Sequence, residues 1–177
     1  MKTTKIAYIE PNALLRNGLS MYFNEQPQFK VVWSKSNLEN VEEEGDFKKI
    51  DILIFDTTVD KDFARIRRFQ QEYPQLKTVL LSGPGRLFEN YLFAQNHQLS
   101  AFLTKDIKST KLVETLIELT AKKGTELVLP ENIKERLFGG SFIEKCAFTL
   151  KERIVLGLLG KGKTTKEASE ILNLSFR

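Results

Sequence analysis

The sequence predicts an α/β fold: a five-stranded parallel sheet, doubly wound by helices, followed by a small all-helical segment. Three observations lead there. Short apolar, β-branched runs recur and close on polar residues, as in DILIFD at 51–56, TVLLS at 78–82 and AFLTK at 101–105. Amphipathic stretches of helical length separate them, the pattern of parallel strands joined by crossover helices. After about residue 148 the strand-like runs cease, and two short helical patterns flank a glycine.

In chain order, strands are expected near 5–9, 30–33, 51–55, 77–81 and 101–104, and helices near 13–24, 62–73, 86–97 and 109–122. The acidic stretch 35–46 reads as a further short helix. Periodicity weakens between about 123 and 147, where KKGTELVLPENIKERLFGGS gives an extended piece, a Pro-started helix near 131–138 and a Gly-Gly break at 139–140. We read this as a linker. Beyond it Val155, Leu156, Leu158 and Leu159 recur at helical spacing, Gly162 interrupts, and Thr164 or Thr165 caps a second helix with Ala168, Ile171 and Leu172. Two short helices across a glycine-containing turn are what a helix-turn-helix requires. The expected organisation is 1–122, a linker at 123–147, and 148–177.

Composition narrows the function classes. With 177 residues, 41% hydrophobic and 28% charged, the chain can bury a substantial core. No apolar run approaches the roughly 18 residues of a membrane span, and MKTTK leads into a strand rather than a signal-peptide apolar region. Cys146 is the single cysteine, so an intramolecular disulfide is excluded. A cytoplasmic protein with no membrane partner is expected. The net charge of +4 is uneven: residues 148–177 hold six Lys/Arg against three Glu. That excess suits a phosphate-contacting module or a solvated helix face, and charge alone does not decide between them. The stretch from Gly157 to Thr164 satisfies the P-loop pattern GxxxxGK[ST], but a P-loop must follow a strand inside a larger sheet, and the surroundings here are helical.

The chemistry-bearing residues are Asp56, Ser82 and Lys105, each closing an apolar run. Parallel strands end on one edge of the sheet, so a carboxylate, a hydroxyl and an ammonium collect there. They make a phosphoryl site with Asp56 as acceptor. Residues 3–122 resemble the receiver domain of two-component response regulators, whose phosphorylated aspartate, phosphoryl-binding Ser or Thr and pairing lysine match Asp56, Ser82 and Lys105. The resemblance implies a flavodoxin-like sheet in the order 2-1-3-4-5 and a switch role for Phe102, three residues before the lysine. The Lys105-Asp106 pair is typical of one DNA-binding subfamily. Receivers carry two acidic residues after the first strand that hold magnesium with the acceptor; here KIAYIEPNALLRNGL supplies Glu10-Pro11. Proline offers no side-chain ligand, so Mg²⁺ held by Glu10 and Asp56 is expected to be weak or absent. The loop TTVDKD after Asp56 also departs from the family pattern.

Residues 148–175 resemble the start of the LuxR-type DNA-binding domain through Thr149, Glu152, Arg153, Val155, Leu156, Gly162, Lys166, Glu167, Leu172 and Ser175, and the linker is similar to the NarL/LuxR connector. The family's recognition helix follows such a pair, and Arg177 stops ahead of it. The resemblance implies DNA contacts by Lys163, Thr164, Thr165 and Lys166. It also implies a transcription-controlling response regulator rather than an enzyme, with a sensor histidine kinase or acetyl phosphate as phosphodonor, DNA bound by the full-length form, and a homodimer. The alternative is a pseudo-receiver acting by protein–protein interaction without phosphorylation. His97 lacks a second His or a Cys as partner and is not read as a ligand; Trp33 is read as structural.

Overall fold

The computed structural model describes residues 3–39, 41, 47–59, 63–121, 126–138 and 149–172. Five strands, β1 (Thr4–Ile9), β2 (Phe29–Lys35), β3 (Ile52–Phe55), β4 (Lys77–Ser82) and β5 (Ala101–Thr104), form one parallel sheet in the order β2-β1-β3-β4-β5. Helices α1 (Ala13–Asn24), α2 (Ala64–Glu72), α3 (Leu87–Asn96) and α4 (Ser109–Ala121) alternate with the strands, and a 3₁₀ turn at Phe47–Lys49 precedes β3. This is the expected flavodoxin-like winding. Parallel neighbours need crossover connections, and the helices supply them.

The period of two sorts the sheet into faces. Ile6, Tyr8, Ile52, Ile54, Val79, Leu81, Ala101 and Leu103 meet Leu19 and Phe23 of α1 and Leu112, Leu116 and Leu119 of α4 in one buried cluster. The alternate residues Ala7, Ile9, Leu53, Phe55, Leu80 and Phe102 are equally buried. Both faces are therefore apolar, which is why the strands read as continuous runs. α1 starts after Asn12, whose side chain accepts from the Leu15 N–H at 3.0 Å. It ends its apolar stripe on Phe23, packed against Tyr8 at 6.3 Å and Phe29 at 5.7 Å between ring centres.

Two expectations meet a different structure. β2 continues through Lys35, where the acidic helix was expected to begin: Lys35 still pairs with Ile9, and its carbonyl accepts the Glu10 N–H at 3.0 Å. Asn40 and residues 42–46 of that stretch lie outside the described residues. The second concerns the segment read as linker. Val128 forms a parallel bridge with Ala101, its N–H donating to the Ser100 carbonyl at 2.9 Å and its carbonyl accepting the Phe102 N–H at 3.1 Å. Val128 and Ile133 are buried. Pro130 has no N–H to extend this ladder, and α5 (Glu131–Phe138) begins directly after it. The first compact unit accordingly runs to Ile133; residues 122–125 and the Gly-Gly break at 139–140 are outside the described set.

The second unit, Lys134–Arg177, contains α6 (Leu150–Gly160) and α7 (Thr165–Ile171), which pack on each other. Each begins with a full capping box, Thr149 with Glu152 and Thr164 with Glu167. Among the described residues of this unit, Ile154, Leu158 and Ala168 are buried, whereas Leu156, Leu159 and Ile171 are exposed. Of the stripe read from spacing, Val155, Leu156, Leu158 and Leu159, Leu158 faces inward, and Ile154 rather than Leu156 or Leu159 joins it there. Gly157 and Gly160 lie within α6, so the P-loop pattern forms no phosphate loop.

Candidate functional site

Sheet order places the chemistry. β1 and β3 are neighbours with Ile9 opposite Phe55, so the residues that follow, Glu10 and Asp56, leave the sheet side by side. The Asp56 N–H donates to the Ile9 carbonyl at 3.2 Å. Both carboxylates are buried, at 2% and 4% exposure. Lys105 follows β5, two strands from β3, and strands lie about 4.8 Å apart. A long side chain is needed to span that gap. The Lys105 ammonium donates to Asp56 Oδ2 at 2.7 Å and to Glu10 Oε2 at 2.8 Å.

The remaining oxygens also have donors. Asp56 Oδ1 accepts from the Thr58 N–H at 2.7 Å and from the Thr58 hydroxyl. Glu10 Oε1 accepts from the Asn12 N–H at 2.8 Å. The Arg16 guanidinium donates to the carbonyls of Glu10, at 2.7 Å, and Pro11, at 3.3 Å. Burial raises the Asp56 pKa, but hydrogen bonds from Lys105 and Thr58 together with the ammonium charge outweigh it, holding the carboxyl below its ordinary value. Burial lowers Lys105, and the bonds and charges of Asp56 and Glu10 reverse that, raising it. Both groups are therefore held charged.

Ser82 ends β4, opposite Thr104. Its hydroxyl donates to the Gly83 carbonyl at 3.2 Å and accepts from Asn90 Nδ2 at 3.0 Å. The structure thus joins the side chains of Asp56, Lys105 and Glu10 by direct contact and puts the Ser82 hydroxyl at the same sheet edge in a separate network, while the Ser82 carbonyl accepts the Lys105 N–H at 2.8 Å. Beside them opens a cleft of about 690 Å³, lined by Thr58, Gly83, Arg86, Asn90 and Phe93 among others. Phe102 is fully buried within β5. Its backbone N–H is the one that binds Val128.

Sequence reasoning did not single out Thr58, Arg16, Asn12 or Asn90. Thr58 and Asn12 each lie two residues after a carboxylate they serve, the spacing at which an acidic side chain caps its own turn, and that was a usable signal. Arg16 reaches back one and a half helical turns to the carbonyls before α1. Asn90 follows Ser82 by eight residues through a loop, and nothing in the linear pattern marks that pairing.

The magnesium ion of the receiver resemblance can be tested against this donor set. Mg²⁺ demands near-octahedral oxygen ligands at roughly 2.1 Å. Pro11 brings no side-chain oxygen, every carboxylate oxygen of Glu10 and Asp56 already accepts a hydrogen, and the ammonium stands between the two. Among the described residues no group of three His, Cys, Asp or Glu could hold a metal. The residues do not fit the ion.

Comparison with solved structures settles the fold. The chain is similar to RcsB from Salmonella enterica serovar Typhimurium bound to promoter rprA in the presence of the phosphomimetic BeF3⁻ (TM-score 0.61, 16% identity, 98% of this chain and 85% of that one). It is similar to the isolated REC domain of that RcsB (TM-score 0.64, 14% identity, 76% and 98%). The fold is that of response-regulator receivers. A third likeness is to ChrA, the response regulator of a heme-sensing two-component system (TM-score 0.60, 17% identity, 99% and 84%). No protein-family model matches the sequence, and no curated protein matches it significantly. At these identities the likeness is one of fold.

In the unit after the receiver fold, Lys163, Thr164, Thr165 and Lys166 lie together at the turn into α7 and are all exposed. Thr164 is committed locally: its hydroxyl accepts from the Glu167 N–H at 3.2 Å and donates to the Glu167 carboxylate at 3.0 Å. Lys163 pairs with Glu167 at 3.3 Å. No described helix is long and apolar enough to cross a membrane.

Proposed function

We propose that the chain is a signalling regulator of the response-regulator type, in which Asp56 accepts a phosphoryl group and the helix pair contacts DNA. The observation that carries this reading is the buried Asp56 carboxylate, at the carboxyl edge of a receiver sheet, hydrogen-bonded to Lys105 at 2.7 Å. A carboxylate oxygen attacks phosphorus, and the bond from phosphorus to the leaving group breaks. Acetate leaves from acetyl phosphate, or the histidine ring from a phosphohistidine of a sensor kinase. The electron pair departs with the leaving group. The Lys105 ammonium follows the charge onto the phosphoryl oxygens, and the Ser82 hydroxyl turns from Gly83 to donate to another. The protein is modified rather than turning over a substrate, so it is not an enzyme. Phe102 lies in β5, on which Val128 docks, and Lys105 follows that strand directly, which gives a change in the pocket a route to the segment before α5. We place the protein in the cytoplasm, as a homodimer whose pairing or DNA contact responds to the receiver.

A second reading is a pseudo-receiver that works by protein–protein interaction. It is favoured by Pro11 and by the saturation of the Glu10 and Asp56 oxygens, which leave no metal to assist phosphoryl transfer. Incubation with acetyl phosphate, followed by intact-mass measurement, separates the two. The first reading expects one added phosphoryl group in the wild type and none in Asp56→Asn; an unmodified wild type establishes the second. For DNA, Lys163 and Lys166 contact phosphates, which carry no sequence information. Binding measured by fluorescence titration is expected near the non-specific range of about 10⁻⁴–10⁻⁶ M and to weaken steeply with salt.

A further inference from the structure

We propose that Lys105 is the resident cation of the Asp56 pocket and that its presence between Glu10 and Asp56 shuts divalent metal out. This rests on the reading of Asp56 as the centre of a receiver pocket and adds how that pocket is held neutral. One nitrogen lies 2.7 Å from Asp56 Oδ2 and 2.8 Å from Glu10 Oε2, so the two carboxylates converge on it as they would on a metal ion. A divalent ion entering there must displace the ammonium, because both carboxylates are almost wholly buried and their other oxygens are committed to Thr58 and Asn12.

Charge points the same way. Glu10 and Asp56 bring two negative charges; Lys105 and the Arg16 guanidinium, bound to the carbonyls of Glu10 and Pro11, bring two positive ones. The cluster is balanced without a metal, so little field remains to draw a dication in. Pro11 removes the side-chain ligand that could have tipped the competition toward metal, and its missing N–H leaves no donor at that point of the turn. The missing ligand and the resident cation are separable causes. A protein limited only by the missing ligand gains metal when position 11 is made acidic. A protein closed by Lys105 gains it when the ammonium is removed.

The experiment is a calorimetric titration of Mg²⁺ and of Mn²⁺ into the whole chain as wild type, Lys105→Met, Lys105→Arg and Pro11→Asp. Lys105→Met leaves one carboxylate pair plus water, a set that magnesium commonly accepts. Its affinity should exceed that of the wild type by roughly tenfold or more, the scale on which single groups around a metal site act. Lys105→Arg keeps a cation in place and should behave like the wild type. Pro11→Asp alone should gain much less than Lys105→Met. A measurement on the wild type keeps the inference exposed should Lys105→Met not fold: its thermal midpoint should not move with added Mg²⁺, since only a ligand that binds the folded state raises it. Tight Mg²⁺ binding by the wild type, or a gain in Pro11→Asp that equals or exceeds that of Lys105→Met, overturns the inference. The phosphoacceptor reading fails separately, by absence of label on Asp56 in a protein that still excludes metal.

Discussion

The Asp56 pocket and the turn into α7 both join threonine, lysine and a carboxylate, yet they differ in what holds them. At the pocket the partners come from residues 10, 56 and 105, brought together by sheet order, and the carboxylates are buried. At the turn, Lys163, Thr164 and Glu167 are within four residues of one another; Lys163 and Thr164 are exposed and Glu167 is half-exposed. A helix start of this kind forms wherever its local sequence does. The pocket exists only if the fold does. Burial then makes its interactions strong and their loss costly, whereas solvent damps those at the turn. This contrast separates a site that can carry chemistry from one that shapes a helix.

The largest break in that contrast comes from Lys105→Met. Removing one partner of a buried ion pair leaves uncompensated charge and typically costs about 3–5 kcal/mol. Here two carboxylates are left facing each other. Chemical denaturation should show a loss of this order, and Glu10→Gln combined with Lys105→Met should recover part of it.

Acid breaks the same pairing without a mutation. The folded pKa of Asp56 lies below its ordinary value of 3.8, so its contribution is complete above that value and fades as pH falls through the lower, folded one. Lys105 is raised above 10.5, so its contribution is present below that value and fades as pH rises through the higher one. Stability attributable to the pair should be flat from about pH 5 to 9 and decline on both sides. In Lys105→Met the alkaline decline specific to this pair should vanish, which a pH series of denaturation curves checks.

How much of this could be read beforehand follows the same division. Strand runs, the bounds of α1 and the sheet order were legible because they express local periodicity and a resemblance in spacing. Asp56, Ser82 and Lys105 were legible as strand-end residues, since every parallel strand ends on one edge. Their contacts were not. That Lys105 reaches Glu10 while Ser82 turns to Asn90 depends on side-chain reach across strands, which no linear spacing encodes. Val128 shows the same limit: TELVLP reads as extended, but its pairing with β5 joins residues far apart in sequence. On α6 the buried Leu158 was singled out and the buried Ile154 was not, because apolar residues occupy most of Ile154–Leu159 and leave spacing without a clear inward face.

Val128 sharpens the comparison from within the receiver fold, because it is a single backbone contact made at long range. Val128→Pro removes the N–H given to the carbonyl of half-buried Ser100 and leaves that acceptor without its protein partner, a change worth about 1 kcal/mol. Hydrogen exchange gives the finer readout. The Phe102 amide, now bonded to the Val128 carbonyl, should lose protection, while the amides of α6 keep theirs. Unchanged protection at Phe102 would show that the bridge does not anchor this segment.

The smallest effects belong to the two helix starts. Thr149→Ala and Thr164→Ala each remove an N-cap, for which a loss of about 1 kcal/mol is usual. Their carboxylate partners, Glu152 and Glu167, are held below the ordinary value first by the backbone N–H and then by the hydroxyl of the capping threonine. Each alanine variant should therefore raise its glutamate toward the usual range, as a carboxyl resonance followed through acid titration will report. Each loss should stay local: Thr149→Ala loosening α6, Thr164→Ala loosening α7, and neither altering labelling at Asp56. Thr164→Ala also tests the turn as a DNA surface. The Thr164 hydroxyl is already spent on Glu167, so its removal should leave DNA affinity nearly unchanged, while Lys166→Ala should weaken binding and reduce the salt dependence by about one phosphate contact. Equal losses from the two substitutions would mean that the capping hydroxyl leaves Glu167 for a phosphate, and that the turn is not the fixed local structure described above.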